Sequence, residues 1–131
     1  MVAKSKNAKD ITNSVYIGPG YWIYGHKKAR NANTYQKKVD FVNFLNELSV
    51  NFPCHVCRSH IKEYLKSHSI EPYWNIKDAK TKMDIGFTKY FWEFHNVVNK
   101  RLNKPIMDWD TMMGLYAEDD DNAVCESDCG Q

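Results

Sequence analysis

The chain has 131 residues and a mass of 15.4 kDa, about one domain, and its 43% hydrophobic and 26% charged residues are the balance of a globular domain with a core rather than of a disordered segment. Its four cysteines, Cys54, Cys57, Cys125 and Cys129, are too few for a disulfide-dense secreted scaffold. The net charge of +2 is unevenly spread: six acids and no lysine or arginine follow Ala117, leaving 18 basic and 10 acidic residues before it.

Residues 1–15 read as a polar N-terminal arm without the apolar stretch of a secretion signal. No run in the chain approaches the roughly 18 apolar residues that span a bilayer. A cytoplasmic chain is expected, a setting in which close cysteine pairs are catalytic or metal-binding. Gly18-Pro19-Gly20 predicts a turn, followed by a helix over about residues 21–31. Asn33-Thr34 can cap a second helix, whose Phe41, Phe44, Leu45, Leu48 and Phe52 form one apolar stripe. After Pro53 a third helix is expected over 54–67, burying Val56, Ile61, Tyr64 and Leu65. Residues 68–78 read as a connection.

A fourth, strongly patterned helix is expected over about 81–103. With His95 at zero and roughly 100° per residue, Phe87, Tyr90, Phe91, Phe94, Val97, Val98 and Leu102 share one arc. Lys89, Glu93, Lys100 and Lys104 share another. Trp92, His95, Asn96, Asn99 and Asn103 form a third, hydrogen-bonding sector beside the apolar one. Lys104-Pro105 ends the helix. A short fifth helix over 108–117 carries Trp109, Met112, Met113 and Tyr116. The fold class is all-α: a helical domain over 16–117 and an acidic tail over 118–131 able to fold back on the basic body. The dispersed lysines of that body read as a solvated surface rather than a nucleic-acid site, and the aromatic His/Asn face argues against the latter use.

Cys54 and Cys57 stand at a predicted helix N-terminus, where the dipole and free N–H groups stabilise a thiolate. Three readings are open: a redox dithiol, a zinc site built from Cys54, Cys57 and His60, or a structural pair. A thioredoxin-like domain is excluded by the absence of βαβ patterning. Cys125 and Cys129 lie among acids that raise a thiol's pKa, so they are poor nucleophiles alone and suit a flexible electron relay. An incidental free pair is the alternative.

Three motifs occur in order: Gly18-x-x-x-Trp22-x-x-x-His26, Phe52-Pro53-Cys54-x-x-Cys57, and His95-Asn96-x-Val98-Asn99-x-x-Leu102-x-Lys104-Pro105. Together with their spacing they resemble the Erv/ALR flavin-dependent thiol oxidases, and look most like the short forms of large DNA viruses. The likeness covers residues 18–109.

The resemblance implies a four-helix bundle with a short fifth helix, usually dimeric, holding FAD at the bundle mouth. FAD contacts would come from Gly18, Trp22, His26, His95, Asn96, Asn99, Leu102, Lys104 and Trp109, with Lys100 as a further candidate for the pyrophosphate. Cys57 would be the flavin-proximal thiol, Cys54 the interchange thiol, and Cys125/Cys129 the shuttle pair. Electrons would run from protein dithiols, a thioredoxin-like carrier among them, to FAD and then O₂, giving hydrogen peroxide in the infected host-cell cytoplasm and virion. The family usually continues apolar after His26, where this chain reads Lys27-Lys28-Ala29-Arg30. Cellular members carry a further disulfide around the fourth helix, for which this chain has no cysteine left. Stability would then rest on packing and bound FAD.

Overall fold

Helically spaced apolar side chains dominate the chain, and the computed structural model, which describes residues 14–116, answers them with five α-helices and no strand among those residues. Helix α1 spans Ser14–Arg30. It runs through Gly18-Pro19-Gly20, so the expected turn is not there. Pro19 forfeits one backbone bond, to Val15, but burial of Gly25, His26 and Ala29 overrides this local breaker. Gly25 is required by close approach: a Cβ there would collide with the Phe91 ring. The basic run after His26 stays helical, with Ala29 buried and Arg30 donating to the Met113 carbonyl at 3.0 Å.

Helix α2 spans Tyr35–Asn51, capped by the Thr34 hydroxyl, which accepts from the Lys37 N–H at 3.2 Å. All five residues of its predicted stripe are buried. Helix α3 spans His55–Ser67 with Cys54 as N-cap, and buries Ile61 and Tyr64. Val56, expected inside, is 61% exposed; it lies about 140° around the helix from Ile61.

Helix α4 spans Gly86–Arg101 and starts five residues later than expected. Residues 77–84 are taken by a small loop closed by an antiparallel bridge between Lys77 and Asp84, with Lys82 in the left-handed region at φ 62°. The Asp78 carboxylate accepts from the Lys80 and Thr81 N–H groups, which favours a turn over a helix. A short 3-10 turn at Glu71–Tyr73 lies against the start of α4, where a Cβ on Gly86 would strike the Tyr73 carbonyl. Lys38 of α2 holds this connection, donating to the Trp74 carbonyl at 2.7 Å and to Asp84 at 3.1 Å.

Phe87, Tyr90, Phe91 and Phe94 of α4 are buried against Phe41, Phe44 and Tyr64. Val97 and Leu102, placed on the same arc by sequence, are 47% and 50% exposed; one sits at the arc's edge, the other beyond the last helical turn. The helix closes with Asn103 in the left-handed conformation (φ 57°), the Lys104 N–H on the Asn99 carbonyl and the Asn103 N–H on that of Lys100. Asparagine tolerates that conformation at a helix end. Helix α5, Trp109–Leu115, is capped by Asp108 and buries Met112; Tyr116, just beyond it, is buried too. Helices α1 to α4 form the bundle and α5 packs across one end of α1.

Candidate functional site

A cleft of about 790 Å³ opens at the end of the bundle where α1, α3, α4 and α5 meet. Its two ends have different chemistry. At one end Cys54 and Cys57 form a disulfide, with Cα atoms 5.1 Å apart. Cys57 lines the cleft; Cys54 does not. Cys54 caps α3 through sulfur, accepting the Cys57 N–H at 3.2 Å. Oxidised sulfurs are not the thiolates that zinc needs, and the described residues hold no cluster of three metal-ligating side chains. The zinc site of Cys54, Cys57 and His60 is therefore not supported. His60 lines the cleft one turn beyond Cys57.

At the other end two histidines meet in the interior. His26 is fully buried and its Nε2 lies 2.8 Å from His95 Nδ1. Tyr116 stacks on His26 at 4.1 Å and Trp22 on His95 at 3.8 Å. Burial, then the neighbouring His95, pushes the His26 pKa down to about 3. Burial, then the charge of Lys104, pushes that of His95 down to about 4. Both rings are therefore neutral at pH 7, and one nitrogen of the pair donates while the other accepts. His26 Nδ1 is buried with no partner. A bare acceptor costs less to bury than a bare N–H, which favours the tautomer with His26 Nε2–H donating and His95 Nε2–H left over for the cleft.

The polar sector of α4 divides. His95 and Asn99, the first 40° or so of it, are buried and line the cleft. Trp92 and Asn96 turn to the loop before α5. Trp92 donates to the Met107 carbonyl at 2.8 Å; Asn96 both donates to that carbonyl and accepts the Met107 N–H, each at 2.9 Å. Met107 itself lines the cleft, so Asn96 acts on its wall at one remove.

Of the residues singled out by sequence, the structure gathers Trp22, Cys57, His95, Asn99, Leu102 and Lys104 around one cavity. His26 stands behind His95, and Trp109 packs edge-on against Trp92 with ring centroids 5.3 Å apart. Gly18 lies within α1. Cys125 and Cys129 lie outside the described residues. Sequence reasoning did not assign Lys27, Arg101 or Tyr116 to the cleft, which they line. Arg101 had a legible signal, since it stands in the last turn of α4 next to Leu102, which also lines the cleft. Lys100, the other pyrophosphate candidate, is exposed and absent from the lining.

A family model described as the Erv1 / Alr family matches residues 19–117. An African swine fever virus protein named FAD-linked sulfhydryl oxidase is 29% identical over 107 residues, covering 79% of this chain and 82% of that one. The Saccharomyces cerevisiae protein named mitochondrial FAD-linked sulfhydryl oxidase ERV1 is 28% identical over 95 residues, 70% of this chain and 46% of its own. The crystal structure of the yeast Erv1 core has the same fold, with a TM-score of 0.67 at 22% identity over 88% of this chain and 92% of the other.

Proposed function

The chain belongs to the Erv1/Alr family, and from that premise we propose that it is a FAD-linked thiol oxidase that forms disulfide bonds. One observation carries the reading: a disulfide at a helix N-terminus presents one sulfur, Cys57, to a deep aromatic cleft and keeps the other, Cys54, outside its lining. The residues fit FAD. Trp22, Phe91 and Phe94 supply apolar walls, the Asn99 amide and the free His95 Nε2–H supply directed hydrogen bonds, and Lys27, Arg101 and Lys104 supply cations for a diphosphate. Bound there, FAD would supply the two-electron acceptor for the reduced Cys54/Cys57 dithiol, with O₂ as the final acceptor and hydrogen peroxide as the product.

The chain's own chemistry is two thiol–disulfide exchanges. A substrate thiolate attacks the Cys54 sulfur, the bond to Cys57 breaks, and Cys57 leaves as a thiolate at the N-terminus of α3. The second substrate thiolate then attacks the substrate sulfur of the mixed disulfide and displaces Cys54, which closes the substrate disulfide. In this reading Cys125/Cys129 relay electrons from protein dithiols, a thioredoxin-like carrier among them, to Cys54. A homodimer belongs to the reading as well, with Tyr24 of α1, 56% exposed, on a face open to a second copy. The viral relative supports a viral protein, and the infected host-cell cytoplasm and virion are its place in this reading; no helix among the described residues is long and apolar enough to cross a membrane. An absorption spectrum tests the proposal: the purified protein is expected to be yellow, with roughly one FAD per chain. A colourless protein that does not take up FAD overturns it.

A further inference from the structure

The exchange step leaves one cation without an assigned part. Arg58 follows Cys57 directly and stands one helical turn beyond Cys54, its N–H bonded to the Cys54 carbonyl at 2.9 Å. Residues four apart share a helix face, and helical side chains lean back towards the N-terminus. The Arg58 side chain does so: Nη1 donates to the Phe52 carbonyl at 2.6 Å and Nη2 lies 3.5 Å from His55 Nδ1. The guanidinium is thus tied to a residue on either side of Cys54, the closer bond to a carbonyl two residues before it. Half-buried and held, it does not wave in solvent as a surface arginine does. The guanidinium makes no hydrogen bond to the Cys54 sulfur, so what it brings to the redox turn is a fixed positive charge rather than a bond.

Resting on the reading above, in which Cys54 takes the mixed disulfide, we propose that Arg58 is a positioning residue for the reaction: its guanidinium, clamped over the Cys54 turn, stabilises Cys54 as the thiolate that leaves when the substrate disulfide closes. In that step the second substrate thiolate forms the new S–S bond, the bond between substrate and Cys54 breaks, and Cys54 keeps the electron pair. A more acidic leaving thiol departs faster. The backbone contributes the Cys57 N–H on the same sulfur. The other titratable groups around this turn are His55 and His60 on α3, Tyr21 of α1, whose ring packs on Phe52, and Glu47 of α2; none is hydrogen-bonded to the Cys54 sulfur.

The test reads the thiol rather than turnover. The full-length chain is reduced with dithiothreitol, and iodoacetamide alkylation of Cys54 is followed against pH by peptide mass. The Arg58→Gln variant is expected to raise the alkylation midpoint by about one pH unit, and Arg58→Lys, which keeps the charge but not the two-pronged grip, to recover part of that shift. An unchanged midpoint in the Gln variant, or a Lys variant no better than Gln, overturns the proposal; circular dichroism of both confirms that α3 is intact. A parallel acid quench maps the mixed disulfide of a peptide dithiol. Capture on Cys57 instead of Cys54 brings down both the exchange order and the role of Arg58. Capture on Cys54 with an unshifted midpoint brings down the role of Arg58 alone.

Discussion

The two ends of the cleft solve opposite electrostatic problems. The sulfur end creates charge: each exchange releases a thiolate, and the first turn of α3, with a Cys57 N–H on the Cys54 sulfur, is built to receive one. The histidine end suppresses charge: His26 and His95 are buried, hydrogen-bonded to each other and pushed well below pKa 6.5. Exposure differs to match. Cys54 and Cys57 are half-buried at a helix start, within reach of an incoming thiol, whereas the imidazole pair lies behind Trp22 and Tyr116. The contrast teaches that the redox pair must be open to exchange partners, while the polar wall opposite must stay dry and fixed to orient a flat ligand.

The comparison can be broken first at the sulfur end. Cys57→Ser removes the cleft-facing thiol, and oxygen consumption with dithiothreitol is expected to fall by at least about a thousandfold, with flavin content unchanged in the absorption spectrum. At the histidine end the expected signature is pH-dependent stability. Both folded-state pKa values lie below the unfolded one, so between pH 6.5 and about 4 the unfolded chain binds protons that the folded chain refuses, and stability falls as pH falls through that window. The loss at His26 should reach roughly 3 kcal/mol by pH 4; urea titrations across the window check it, and His26→Gln should flatten the slope. Asn96→Ala removes both bonds to Met107 and should cost about 2 kcal/mol, with weaker flavin retention on dilution because the Met107 wall loosens. The smallest effect sharpens the open end: replacing Cys125 and Cys129 with serine should leave dithiothreitol oxidation intact and slow a protein dithiol about tenfold, a difference of about 1.4 kcal/mol in barrier, read as initial rates on the two substrates side by side.

Much of this was legible before any coordinates. The stripe from Phe41 to Phe52 and the capping Thr34 identify α2 because burial and capping both follow local spacing. The ordered motifs around Trp22, Cys54 and His95 pointed to the cleft that the structure assembles. Local signals failed where a tertiary contact outweighed them. Gly18-Pro19-Gly20 looks like a turn, yet α1 continues because its later residues are buried against α4. Thr81 to Ile85 looks like helix, yet the Asp78 carboxylate and the Lys77–Asp84 bridge claim that stretch.

The sequence by itself determined that the chain is helical, the buried stripe of α2 and the place of the close cysteine pair at a helix start, because each depends on residues within a few turns of one another. Tertiary structure alone decided how the polar sector of α4 is shared. Trp92, His95, Asn96 and Asn99 are neighbours on one helix, but only the approach of α1 on one side and of the Met107 loop on the other sends His95 and Asn99 into the cleft and leaves Trp92 and Asn96 to hold its wall. It also decided that His26 and His95, 69 residues apart, meet through a hydrogen bond in a buried layer. A wheel gives angles about one axis; which angle meets solvent, a partner helix or a ligand depends on where the other axes lie.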